Sequence, residues 1–167
     1  MTALATTDWL PDRLIAANYD DINALEIASY ALFKNDWSDF AAFRGDEVRV
    51  HRRPHKANAA RWHTYWHAVT EGFPEEIRKN PMTARLERIP WCRPIIVNEN
   101  DAVVKVWSNF RKGSKHICIW FDRLNYIVIL KQCQNHYLLK TTYCPESRRQ
   151  KQFHREYAAW KKTGRAL

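Results

Sequence analysis

Tyr126-Ile127-Val128-Ile129-Leu130 is an unbroken apolar run of aromatic, β-branched and leucine side chains. A run of five with no polar alternation reads as a strand covered on both faces, central in a sheet. Working outward, Val103 to Trp107, His116 to Phe121, Tyr126 to Cys133 and Tyr137 to Tyr143 are all β-rich. They are separated by Lys112-Gly113-Ser114, Arg123-Leu124-Asn125 and Gln134-Asn135-His136. Breaks this short connect antiparallel neighbours, so the second half of the chain predicts a meander. Something helical must cover it.

Pro145 to about Lys162 supplies one helix, with Pro145 suited to its first turn. At 100° per residue Phe153, Tyr157 and Trp160 fall in one arc, and Arg148, Lys151, Arg155 and Lys162 cluster about half a turn away. One face docks and the other is cationic. Tyr19 to Phe33 predicts a second helix, capped by Asp20 or Asp21, with Ile22, Leu25, Leu32 and Phe33 on one face. Asp46 to Arg53 alternates Val48 and Val50 with polar residues as a half-exposed strand does. Arg61 to Thr70 is aromatic and fits either a strand or a short helix. Pro74 to Arg88 reads as a helix interrupted by Pro81, and Ile89 to Pro94 as an extended connection. The fold class is α+β, an antiparallel meander packed against helices with an N-terminal helical extension. At 167 residues, 46% of them apolar and 13% aromatic, the chain fits one domain.

Charge divides that domain. The formal net charge is +9, yet residues 1–42 carry seven acids against Arg13 and Lys34, so all of the excess and more lies in 43–167. The body's counter-charge is phosphate, and RNA is the expected partner. The acidic helix is expected to meet a partner or to screen the cationic face, unless its stripe is ordinary core. No stretch of about 18 apolar residues exists, and the basic-then-apolar pattern of a signal peptide is missing, so a cytoplasmic protein without a membrane partner is expected. Cys92, Cys118, Cys133 and Cys144 are widely spaced and read as reduced thiols. No Cys-x-x-Cys occurs, and Cys133/His136 and His63/His67 are isolated pairs, so no metal and no cofactor is expected.

The four isolated glycines form no phosphate-binding loop, and carboxylates are not clustered as a Mg²⁺-dependent DNA nuclease requires. Cleaving RNA without metal needs a base for the 2′-hydroxyl, an acid for the leaving 5′-oxygen and cations for the phosphorane. His67 stands in the run Trp66-His67-Ala68-Val69-Thr70. Thr141 and Tyr143, two apart on a strand, share a face, whereas Lys140 and Thr142 point the other way.

Leu138-Leu139-Lys140-Thr141-Thr142-Tyr143 after the apolar strand, then the basic helix, with Trp66-His67 and Glu87-Arg88-Ile89 before them, resembles the phage-associated barnase/EndoU/colicin/RelE-like RNases over about residues 60–160. The resemblance implies a metal-independent endoribonuclease used as a toxin, with an antitoxin or immunity protein as partner. The matching positions are His67 as general base or acid, Arg88 on the transition state, and Thr141 and Tyr143 holding the phosphate. The acidic N-terminal segment has no counterpart in that pattern. Each residue also has an ordinary reading: His67 as a hydrogen-bonded core histidine, Thr141 and Tyr143 as good strand formers, Arg88 as half of an ion pair with Glu87. On those readings the chain is a non-catalytic nucleic-acid or protein-binding module. Arg148, Lys151, Arg155 and Lys162 are the nucleic-acid-binding positions on either reading.

Overall fold

The apolar run Tyr126 to Leu130 sits near the middle of a six-stranded sheet. The computed structural model describes residues 7–167, and the elements in order are α1 (Ile22–Asp36), β1 (Ala41–Phe43), β2 (Asp46–Arg49), β3 (Pro54–His55), β4 (Asn58–Trp62), α2 (His63–Val69), α3 (Thr83–Glu87), α4 (Cys92–Val97), β5 (Lys105–Arg111), β6 (Ser114–Phe121), β7 (Tyr126–Gln132), β8 (Tyr137–Tyr143) and α5 (Ser147–Lys162). The fold is α+β. Strands run in the order β1-β2-β8-β7-β6-β5, with β3 and β4 forming a separate pair. The four-strand meander β5 to β8 is antiparallel throughout, as the short breaks require.

Strand alternation sends side chains to two cores. Ile117, Ile119, Val128 and Leu130 face a large cluster with residues of α1 to α4, while Trp107, Cys118, Trp120 and Ile127 face Phe153 of α5. Phe153 is fully buried, with Tyr157 and Trp160 beside it. The docking face of α5 is thus the arc Phe153/Tyr157/Trp160, and Arg148, Lys151, Arg155 and Lys162 are all exposed on the other side.

Several sequence expectations are corrected. The junction between the early and late strands is parallel, Val48 facing Tyr137 and Arg49 facing Leu138, a pairing with no local signal. Ile89 to Pro94 is helical, a 3-10 turn over Ile89–Trp91 running into α4. Pro94 is tolerated there because first-turn N–H groups have no helical acceptor to lose. Pro74 to Arg88 holds only a 3-10 turn, Glu75–Ile77, and the short α3. Pro145 precedes α5 instead of opening it.

The N-terminal helix is present and packs one face into the main core. Asp21 caps it through Ala24 N at 2.8 Å. Its buried face is Leu25, Glu26, Ser29, Tyr30 and Phe33, whereas Ile22 and Leu32 of the expected stripe are exposed. Glu26 is buried because Arg61 grips both its oxygens at 2.7 Å. A boundary at residue 42 also cuts β1, which belongs to the main sheet. Among the described residues no helix is long and apolar enough to cross a membrane.

Candidate active site

α2 begins directly after β4, so His63 and His67 lie one turn apart on one face of it. β2 meets no more than the first two residues of β8, and α2 packs against β8. That arrangement brings His67 to Thr141 and Tyr143: the three line one cavity of about 490 Å³ together with Arg78, Arg85 and Arg149.

His67 is held rigidly. Its Nδ1 lies 2.8 Å from Glu75 Oε1, and Glu75 Oε2 lies 2.7 Å from His55 Nε2. Burial alone raises the Glu75 carboxyl, but the hydrogen bond from His55 and the positive neighbourhood hold it below its ordinary value. Glu75 is therefore an ionised acceptor, and both imidazoles must donate to it. Burial pushes His67 down to about 4, Arg78 adding to the fall and Glu75 opposing it. At neutral pH the ring is uncharged, Nδ1 carries its proton, and Nε2 carries a free lone pair.

The arginines have a structural task as well. A helix leaves its last carbonyls without partners. Arg78 Nη1 donates to the oxygens of His67 and Thr70, both at 2.8 Å, and Arg85 Nη1 donates to those of Thr70 and Ala68 at 2.9 and 3.2 Å. Two guanidiniums thus clamp the C-terminal end of α2, where cations are favoured. Arg78 Nε also donates to Gly72 O at 2.8 Å and Arg85 Nη2 to Glu71 Oε1 at 2.5 Å, so each guanidinium has only part of its five N–H groups left over.

His55, His67 and Glu75 also have ligand atoms within 4.8 Å of one another, close enough to test for a metal. The donor set does not fit. His55 Nδ1 accepts the Ala57 N–H at 3.0 Å, so the ring proton sits on Nε2 facing Glu75, the atom a metal would need bare. The trio is a hydrogen-bonded relay fixing one tautomer of His67.

No family model matches the chain, and neither a curated protein nor a solved structure matches it. The site therefore rests on its own chemistry.

Arg88 is not brought into the cavity. Its Nη1 bonds Ala84 O at 2.8 Å, its guanidinium lies over Trp91, and it sits 3.6 Å from Glu87. Arg78, Arg85 and Arg149 stand where the sequence reading put Arg88. Glu75 and His55 were missed too. The one signal for them is the four-residue spacing of His51 with His55 and of His63 with His67, which becomes a cluster only after β3 and β4 fold back. The rings of His55, His63 and His67 then stack at 5.0 and 6.0 Å.

Proposed function

We propose that this protein is a metal-independent endoribonuclease of toxin type that cuts RNA through its 2′-hydroxyl and leaves a 2′,3′-cyclic phosphate. The observation that carries the reading is the neutral His67, held at Nδ1 by Glu75, in a cavity lined by Arg78, Arg85 and Arg149, the hydroxyls of Thr141 and Tyr143, and two carboxylates, Glu71 and Glu146, of which Glu71 pairs with Arg85. His67 Nε2 takes the 2′-hydroxyl proton, and the 2′-oxygen attacks phosphorus. Guanidinium N–H groups stabilise the charge on the phosphorane. The P–O5′ bond breaks, Thr141 holds a phosphate oxygen, and Tyr143 protonates the leaving 5′-oxygen. Four free cysteines, two of them buried, suit a reducing cytoplasm, and an antitoxin or immunity protein covering the cavity belongs to the same reading.

Purified protein incubated with RNA and EDTA is expected to yield fragments ending in a cyclic phosphate. DNA, and RNA methylated at the 2′-oxygen, are expected to survive. Cleavage that requires a divalent ion sinks the mechanism.

A second reading, nucleic-acid binding without catalysis, is favoured by one separate observation. Arg148, Lys151 and Arg155 are exposed on one face of α5 with no ion-pair partner among the described residues. Reversing Lys151 and Arg155 to Glu is expected to weaken RNA binding and flatten its salt dependence by about one phosphate contact per residue. An unchanged salt slope removes α5 from the binding surface.

A further inference from the structure

His67 is a shared wall. On its other side lies a second cleft, about 220 Å³, lined among others by His51, Arg53, His63, Lys131 and Lys140. That volume is below the roughly 300 Å³ at which pockets for drug-sized ligands begin, and suits a phosphate and its waters better than a whole nucleotide.

One cation of this cleft, Lys140, is put there by a fault in the sheet. Ile129 faces Thr141, but Leu130 faces Leu139, which leaves Lys140 as the extra, unpaired residue of a β-bulge. A bulge re-aims a side chain, and Lys140 emerges beside Lys131 of the neighbouring strand and Arg53 of the segment before β3. Such bulges recur next to functional sites.

These cations are not neutralised by the protein. None of the ion pairs among the described residues includes Arg53, Lys131 or Lys140. Glu75, the one carboxylate lining the cleft, already serves His55, His67 and Arg78. Burial, then Lys131 and Lys112, push the Lys140 ammonium below its ordinary value, as expected of like charges held together. His63 Nδ1 is buried with no partner, a polar atom that an anionic ligand or its water satisfies. Three unpaired cations, an orphaned imidazole nitrogen and a small concave volume point to one ligand chemistry.

We infer that this cleft is a second phosphate subsite, in which Arg53, Lys131 and Lys140 hold the phosphate adjacent to the one cut at His67. The assignment rests on the ribonuclease reading for its direction, since it makes His67 the point between two consecutive phosphates. The substrate is then a polynucleotide strand gripped at two phosphates, and neither a mononucleotide nor a small phosphodiester.

The test uses short 2′-O-methyl RNA oligonucleotides, which bind without being cut, in three forms: no terminal phosphate, a 5′-phosphate or a 3′-phosphate. One of the phosphates is expected to tighten binding to the wild-type protein on the order of tenfold at low salt. That gain is expected to vanish in Lys131→Ala/Lys140→Ala and to persist in Lys140→Arg and in Lys34→Ala, which removes one charge from α1 far along the chain. Inorganic phosphate is expected to compete with the terminal phosphate and lose that effect in the double variant. A gain that survives in the double variant overturns the subsite, as does the lack of any gain with either terminal phosphate. The two readings separate cleanly. Cleavage of RNA with no terminal-phosphate gain removes the subsite and keeps the nuclease, whereas the gain without cleavage keeps the subsite and removes the nuclease.

Discussion

His67→Ala is expected to cut RNA slower by on the order of a hundredfold to ten-thousandfold, the contribution of one positioned proton-transfer group, while remaining folded. The side chain is one-fifth exposed and lies at the rim of two clefts, so its loss opens no sealed cavity. On the proposed mechanism Glu75 positions His67, and Glu75→Gln separates that role from simple packing. An amide presents N–H as readily as C=O, so the ring is free to adopt the wrong tautomer, and rate falls with the volume unchanged. The pH profile gives an independent reading. A base must be unprotonated, and burial sets His67 near 4 in place of about 6.5 for an unperturbed imidazole. Activity should therefore hold as pH falls through 6.5 and fail only toward 4. Stability moves over the same window: the unfolded ring takes up a proton below about 6.5 while the folded ring refuses it until about 4, so acid weakens the fold between those values. The profile is accordingly measured together with an unfolding curve at each pH. A folded His67→Ala protein that cleaves as fast as wild type ends the assignment.

What the sequence disclosed of this site follows from the range of each signal. Thr141 and Tyr143 were legible as a pair because a strand alternates with period two, and they do line one cavity. Lys140 was read as pointing away on the same rule. The bulge breaks that rule, and a bulge leaves no mark in the local residue pattern. Glu75 lies in a 3-10 turn with no periodicity, and its importance comes from two histidines that other elements carry to it. Arg88 is expected from the resemblance alone, and no local pattern singles out Arg78 or Arg85. The meander and α5 were legible because apolar periodicity is a local property, whereas the parallel contact of β2 with β8 depends on residues remote in sequence.

Phe33→Ala is expected to destabilise the protein by about 3–5 kcal/mol, the usual cost of removing a buried aromatic side chain. Phe33 is fully buried in α1, its ring 5.3 Å from Tyr65 and 6.1 Å from Trp37. Those partners come from α2 and from the end of α1 itself, so the loss falls where the acidic helix meets the site-bearing helix. Ile27→Ala is the control: on the same helix and 61% exposed, it is expected to stay within about 0.5 kcal/mol of wild type. Denaturant unfolding of the two variants decides between core and detachable screen. Equal small effects restore the screen. A large difference means that truncation through residue 42 removes part of the core and a sheet strand, and so cannot be used to expose the cationic body.

β2 and β8 lie side by side although most of the chain separates them, and α2 rests on β8. During translation the amino-terminal hairpin has no neighbour to join until the last strand has been made. His67 emerges early, but the surface that completes its cavity, Thr141 and Tyr143, arrives late. Long-range pairing of this kind also slows folding once the chain is free. A ribosome-bound or prematurely terminated chain thus holds no assembled cavity, and the wall that faces His67 is complete only after synthesis has passed Tyr143.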